Sequence, residues 1–187
     1  MRLLLILSLI LGITCHLFSQ CEVSPFTVTV RSANGSPLKN INVTVKGNNI
    51  DKTLKTDEHG KVNIGTDACI NLSFSIDYTL DYLDGVSTLD LVRIQRHILG
   101  IQPFKNKYNL AAADCNDSRS ITASDLTELR KLLLGITSKL PAPTHRFLWE
   151  DNPYDGTNSE ILSDIVKYIK ENNINIYFVK TGDITNE

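Results

Sequence analysis

Oxygen-bearing side chains recur at short intervals between residues 114 and 125. They stand at positions 1, 3, 5, 9 and 12 of this twelve-residue stretch, and position 7 can offer a backbone carbonyl. Calcium is a hard cation that takes six to eight oxygen ligands, and a chain with this spacing wraps around one ion. This stretch, the second loop, is therefore predicted to hold structural Ca2+ through Asp114, Asn116, Ser118, Ser120, Thr122 and Asp125.

The second loop departs from the usual calcium-binding loop at two positions. It ends in Asp125 where such loops end in Glu, and Arg119 occupies position 6, where they carry Gly. Arg119 must therefore adopt a left-handed backbone conformation, or the turn must relax. We expect either adjustment to weaken the site without abolishing it.

Residues 85–101 and 120–136 are two copies of one segment. Asp125 follows Asp90 by 35 positions, and the same offset relates the glycines that end each copy. Such duplication predicts two equivalent structural units, each a loop that runs into a helix. The two helices are expected to bury their apolar stripes against each other or against a third element.

The loop before the first helix, residues 79–90, is the first loop, and it has fewer donors. Counting back from Asp90 as position 12 places Asp81 at position 3, Gly85 at 7 and Ser87 at 9, while Leu83 at 5 cannot ligate. Two interpretations stay open. The loop holds Ca2+ through Asp81, Gly85, Ser87 and Asp90, or it is degenerate and serves only to cap the helix.

The two copies resemble a type I-like dockerin domain, over about residues 77–140. The shared pattern runs from Asp90-Leu91 and Asp125-Leu126 to the Leu-Gly at each helix end. The resemblance implies paired calcium loops that fold a small helical module, which binds a cohesin domain and docks secreted polysaccharide-degrading enzymes. Positions 10 and 11 of the two loops lack the Ser-Thr pairs of cohesin binders. The expected partner is therefore a cohesin-like or another secreted protein. The amino-acid sequence of the two copies is most similar to dockerin-like segments in secreted proteins of Bacteroidetes-type bacteria.

The C-terminal segment from Lys180 to Asn186 is similar to the sequence motif with which a calcium loop begins in this family. The first loop lacks such opening residues of its own. We therefore predict that Asp183, with Thr185 as a second candidate, folds back to complete the site that ends at Asp90. Shared ligation requires the two Asp carboxylates to lie within about 8 Å of each other.

Residues 26–76 alternate between apolar and polar side chains in short runs separated by turn signals. This pattern predicts several strands in a small β-sandwich. The segments 34–45 and 56–62 resemble the carboxypeptidase regulatory-like, transthyretin-type sandwich, which implies a spacer without catalytic residues. The predicted fold class is α+β: this sandwich, then the calcium loop–helix pair, then a short α/β tail.

The first residues have the features of a secretory signal peptide. Arg2 precedes an apolar run over residues 3–13 that is too short to span a bilayer. The predicted organisation is a signal peptide over 1–19, the sandwich over 20–76, the dockerin-like repeats over 77–140 and a tail over 141–187. The chain is expected to be secreted and free of the membrane after cleavage, with Cys21 and Cys69 either paired or free.

The tail predicts a helix from Glu160 to Asn172 and then a strand with Ile174, Ile176 and Phe178. This helix–strand unit is expected to pack on the dockerin-like domain. Its aromatic and aliphatic stripes are interpreted as core rather than as a ligand surface.

Composition and motifs exclude several classes of function. The 187-residue chain has a formal net charge of -2, which leaves no basic excess for nucleic acid. No G-x-S-x-G elbow, H-E-x-x-H helix or phosphate-binding glycine loop is present. The chain is therefore predicted not to be an enzyme. The alternatives are a structural adhesion or surface protein without a cohesin partner and, less favoured, a small glycoside hydrolase.

Overall fold

The computed structural model describes residues 25–47, 50–65, 70–75, 79–150, 161–162 and 173–184. The strands in these ranges are β1 Phe26–Ser32, β2 Asn42–Gly47, β3 Ile50–Lys55, β4 Lys61–Ile64, β5 Ile70–Ser75, β6 His145–Trp149, β7 Ile161–Leu162 and β8 Asn173–Lys180. The helices are α1 Thr88–Ile98, α2 Lys107–Ala113 and α3 Ala123–Leu133. The predicted α+β class is confirmed. The predicted signal peptide and the Cys21 and Cys69 pair lie outside the described residues.

The strands form two four-stranded sheets. The first sheet has the order β4-β1-β8-β6, and the second has the order β3-β2-β5-β7. Alternate residues of both sheets are buried in one shared apolar core, because side chains along a strand point to opposite faces. This core includes Val28, Val30, Val43, Leu72 and Ile176.

The tail completes the first sheet, which differs from the sandwich predicted over residues 20–76 alone. Strand β8 pairs in parallel with β1, so that Ile174 lies beside Val28. Strand β6 pairs with β8 on its other side. The sequence places these strands far from β1, and no local pattern reveals such a pairing partner.

The helix predicted from Glu160 to Asn172 is wrong at its start. Ile161 and Leu162 form β7 and pair with Ser73 and Leu72 of β5. Pairing with an existing sheet edge overrides the helical spacing of these apolar residues, since propensity is a weak local preference. The remainder of that predicted helix lies outside the described residues.

Helices α1 and α3 have the same start. Ser87 and Thr122 are their N-caps, and Asp90 and Asp125 complete a capping box in each. The two helices pack through Ile94 and the buried leucines of α3, together with three alanines of α2. Leu148, Val179 and Ile184 of the tail join this second core. No helix in the described ranges combines the length and apolar character needed to cross a bilayer.

Candidate metal centre

Two buried carboxylates face the interior of the second loop. Asp114 follows α2 directly, and its Oδ1 and Oδ2 accept hydrogen bonds from the backbone N–H groups of Ser118 and Arg119, at 2.9 and 3.0 Å. Asp125 lies in the first turn of α3, and its Oδ1 accepts from the Asn116 N–H at 3.2 Å. The loop is therefore folded around its first and last acidic residues.

Neutral oxygens fill the positions between the two carboxylates. The Asn116 Oδ1 accepts from the Ser118 N–H at 3.0 Å, and the Ser118 hydroxyl donates to the Ser120 carbonyl at 3.1 Å. The Thr122 hydroxyl donates to Asp125 Oδ2 at 3.3 Å. All six residues predicted for this loop are thus brought together in one turn of chain.

The turn closes without a glycine at position 6. Arg119 has φ 66°, and Asp117 also has a positive φ of 58°. Of the two conformations expected at Arg119, the left-handed one is therefore present. Non-glycine residues rarely adopt this region, at a cost of about 1–2 kcal/mol each, so other contacts must hold the loop in place.

Burial raises the pKa of the Asp125 carboxyl, and the neighbouring Asp114 carboxylate raises it further. Hydrogen bonds from the Thr122 and Asn116 N–H groups oppose this shift. The ionised carboxyl is thus unfavourably placed until a cation lies near it.

In the described part of the chain no three His, Cys, Asp or Glu side chains gather in a metal-holding group. Two carboxylates with neutral oxygens suit calcium better than zinc.

Cys115 is a buried free thiol at position 2 of the same loop. Burial raises the pKa of this thiol, and the carboxylates of Asp125 and Asp114 raise it further. The reactive thiolate is therefore scarce, and access to it requires the loop to open.

We expect iodoacetamide to label Cys115 at least about a hundredfold more slowly in the folded protein than after denaturation. Adding a calcium chelator to the folded protein should speed the labelling, because the loop then opens more often. Mass spectrometry of the peptide that contains Cys115 measures this rate separately from the other cysteines. Equal rates in folded and denatured protein would contradict the buried position.

In the first loop, the helix-capping arrangement is present. The Asp90 Oδ2 accepts hydrogen bonds from the N–H and the hydroxyl of Ser87, at 2.8 and 2.9 Å. Asp90 is buried, like its counterpart Asp125. Asp81 is exposed, and its Oδ1 accepts from the Leu83 N–H at 2.9 Å.

The C-terminal turn reaches the first loop. The Ile184 N–H donates to Asp90 Oδ1 at 2.8 Å, over a separation of 94 residues. Gly85 of the first loop lies directly beside Asp183, because a Cβ added to Gly85 would be only 2.6 Å from Asp183 Oδ2. The C-terminal turn therefore contacts the first loop at Gly85 and at Asp90. That Asp183 and Asp90 share one ion stays a prediction. Thr185 lies outside the described residues.

Two buried cations beside the loops were not predicted from the sequence. Arg146 of β6 is fully buried and donates from Nη2 to Asp117 Oδ1 at 2.8 Å. Lys180 of β8 is also buried and donates from Nζ to the Tyr82 carbonyl at 3.0 Å. Burial lowers the pKa of Lys180, while the Asp84 and Asp183 carboxylates oppose the shift. The sequence feature that could have indicated Arg146 was a single arginine within the run His145–Trp149.

These observations define a duplicated loop–helix module built around oxygen-lined loops. Residues 84–134 match the family model of the dockerin type I domain. The match covers all three helices and the whole second loop, and dockerin type I domains are non-catalytic, calcium-binding modules for protein–protein interaction with cohesin partners. No curated protein and no solved structure matches the chain significantly.

Proposed function

We propose that this protein is a secreted, non-catalytic attachment module whose dockerin-like part is stabilised by calcium and binds a protein partner in extracellular polysaccharide breakdown. One observation carries the proposal: the second loop gathers two buried carboxylates and four neutral oxygen-bearing residues within residues 114–125. The family match over residues 84–134 supports the interaction role. The apolar N-terminal run supports secretion.

Calcium in this proposal is a structural ion. Its charge offsets the repulsion between Asp114 and Asp125 and the cost of burying both carboxylates. The ion binds the folded loop and not the unfolded chain, so its binding energy adds to the free energy of unfolding. The loop leads directly into α3, and the helix pair depends on that helix start.

The first loop takes a second calcium ion in this proposal, with its ligands drawn from two parts of the chain. Asp183 replaces the acidic residue that the first loop lacks at its opening. The Ile184–Asp90 hydrogen bond and the close approach of Asp183 to Gly85 support this arrangement. The proposed ligand residues are Asp81, Gly85, Ser87, Asp90 and Asp183.

The proposed partner surface is the outer face of α1. Leu89, Val92 and Leu99 are exposed, and their spacing places them on one side of the helix. The equivalent positions in α3 are the exposed polar residues Ser124 and Thr127, followed by Leu134, which is exposed like Leu99. The two copies therefore differ in surface at the first two of these positions, and exposed apolar surface marks interaction sites. The partner is a cohesin-like or other secreted protein.

Leu89→Asp should weaken binding to a cohesin-type partner by about tenfold or more, since a central apolar contact is lost and a charge is buried. Helix α1 should persist, because an acidic residue is favourable in a first turn. The matched control is Ser124→Asp, 35 positions later on α3. Surface plasmon resonance compares the two variants. Equal loss of binding in both would contradict a surface confined to α1.

The β-strands of residues 26–75 serve as a spacer of the carboxypeptidase regulatory-like type in this proposal. The exposed side chains of this segment include the Lys39–Glu58 pair, which lies between strands, and the Lys46–Asp51 pair of β2 and β3. Such exposed pairs are a common feature of a solvated surface and contribute little to stability.

Calorimetric titration of the secreted form, residues 20–187, with calcium tests the proposal. We expect uptake of two ions and a higher melting temperature in calcium than in chelator. A chain that takes up no calcium and melts identically in both buffers would end the proposal. Capture of a purified cohesin separates it from the second candidate, a surface protein without that partner, which the departure of Thr88-Leu89 from the Ser-Thr pair favours.

A further inference from the structure

The two buried cations contact equivalent points of the two loops. Asp117 follows Tyr82 by 35 positions, the same offset that relates Asp125 to Asp90. Arg146 donates to the Asp117 side chain, and Lys180 donates to the Tyr82 carbonyl. Each loop is therefore held at its fourth position, which supplies no ligand in the proposed calcium sites.

Both cations come from neighbouring strands of the first sheet. Strands β6 and β8 are antiparallel partners, with Arg146 opposite Val179. The Arg146 guanidinium also donates to the hydroxyl of Thr181, the residue after Lys180, at 3.1 Å. The first sheet thus contributes two buried positive groups, and each of them contacts one of the two loops.

We propose that Arg146 is a positioning residue for calcium binding, which holds the second loop in its ion-ready shape from the first sheet. This inference rests on the proposed calcium-binding function and adds a residue outside the loop. It is argued from the buried Arg146 guanidinium, which bridges the second loop, α2 and the turn after β8.

The contacts of Arg146 account for such a role. Nη1 donates to the Ala111 carbonyl at 2.8 Å, which fixes the end of α2. Nη2 donates to Asp117 Oδ1 at 2.8 Å and lies 3.4 Å from the Asp114 carbonyl oxygen. Planar guanidinium groups hold several oxygens in a fixed geometry, which a lysine cannot reproduce. The loop is therefore fixed on both sides of Asp114.

The Arg146–Asp117 pair also manages charge and strain. Asp117 has a left-handed backbone, and its bond to Arg146 holds that conformation. The carboxylate neutralises a guanidinium that would otherwise repel a divalent ion nearby. Loss of the Asp117 carboxylate removes this ion-pair partner from Arg146 and lets the loop relax. Both effects lower calcium affinity.

The test is Asp117→Asn, because the Asp117 side chain is 45% exposed and its replacement leaves the core intact. We expect the calcium affinity of the second loop to fall about tenfold. The matched control is Asp51→Asn, which makes the same charge change at an exposed ion pair on β3 and should leave affinity unchanged. Arg146→Lys keeps the positive charge but loses the planar guanidinium. This variant should therefore also bind calcium more weakly than the wild-type protein.

The readout is the calcium dissociation constant from calorimetry, together with the melting temperature in chelator. A merely structural pair would lower the melting temperature and leave the dissociation constant unchanged. Dissociation constants within twofold for Asp117→Asn and Asp51→Asn would overturn the inference while calcium binding stands. Absence of calcium uptake by the wild-type chain would instead overturn the proposed function, and the inference with it.

Discussion

Asp125→Ala will abolish calcium binding at the second loop and lower the melting temperature in calcium-containing buffer by about 10 °C. At a free calcium concentration about a thousandfold above the dissociation constant, bound ion contributes roughly 4 kcal/mol to the free energy of unfolding. Each kcal/mol shifts the melting temperature of a chain of this size by about 2–4 °C. Asp114→Ala should have the next largest effect. Differential scanning calorimetry measures both.

The chelated state separates the ion from the hydrogen bonds of Asp125. Without calcium, the variant loses acceptors for the Asn116 and Thr122 N–H groups but also loses a carboxylate whose burial is unfavourable. These terms oppose each other, so wild type and variant should melt within a few degrees in chelator. Asp51→Ala, at an exposed strand position, is the control and should match wild type in both buffers. A wild-type melting temperature that ignores calcium would refute the prediction.

The second loop and the repeated helices were predictable because their determinants are local. Oxygen spacing, a capping residue and an acidic residue three positions later all lie within one stretch of chain. The structure has capping boxes at Ser87 and Thr122, at the start of both predicted helices. Duplication reinforced the signal, since two copies with the same offset are improbable without a shared structure.

The pairing of the tail with the sandwich was not predictable by the same reasoning. The alternation of Ile174 and Ile176 indicated a strand, but strand periodicity does not name the neighbouring strand. The partner proved to be β1, at the other end of the described chain. Arg146 escaped notice for the same reason, because its acceptors Ala111 and Asp117 become neighbours only after the sheet forms.

The fold-back of the C-terminal turn lies between these cases. A motif around Asp183 that is similar to one in this family suggested a contact with a calcium loop. Because the first loop lacks its own opening residues, the contact was predicted to be with that loop. The Ile184–Asp90 hydrogen bond agrees with that prediction. Periodicity alone would have left the last residues of the chain without an assigned role.

Gly85→Ala will lower the free energy of unfolding by about 2–5 kcal/mol and remove the ion from the first site. Gly85 has φ +74°, where a side chain costs about 1–2 kcal/mol, and the new Cβ would lie 2.6 Å from Asp183 Oδ2. That distance forces Asp183 away from the loop, at a further cost of about 1–3 kcal/mol. Urea unfolding and calcium stoichiometry measure the two effects.

Gly100→Ala isolates the contact from the backbone strain. Gly100 has φ +70°, and a Cβ there meets nothing within 4 Å, so this variant should cost only the strain and keep both ions. Adding Asp183→Ala to Gly85→Ala removes the clashing carboxylate, so the two changes should destabilise less together than the sum of their separate effects. Equal costs for Gly85→Ala and Gly100→Ala, or strict additivity in the double variant, would place Asp183 away from the first loop. The shared calcium site would then lose its ligand from the C-terminal turn.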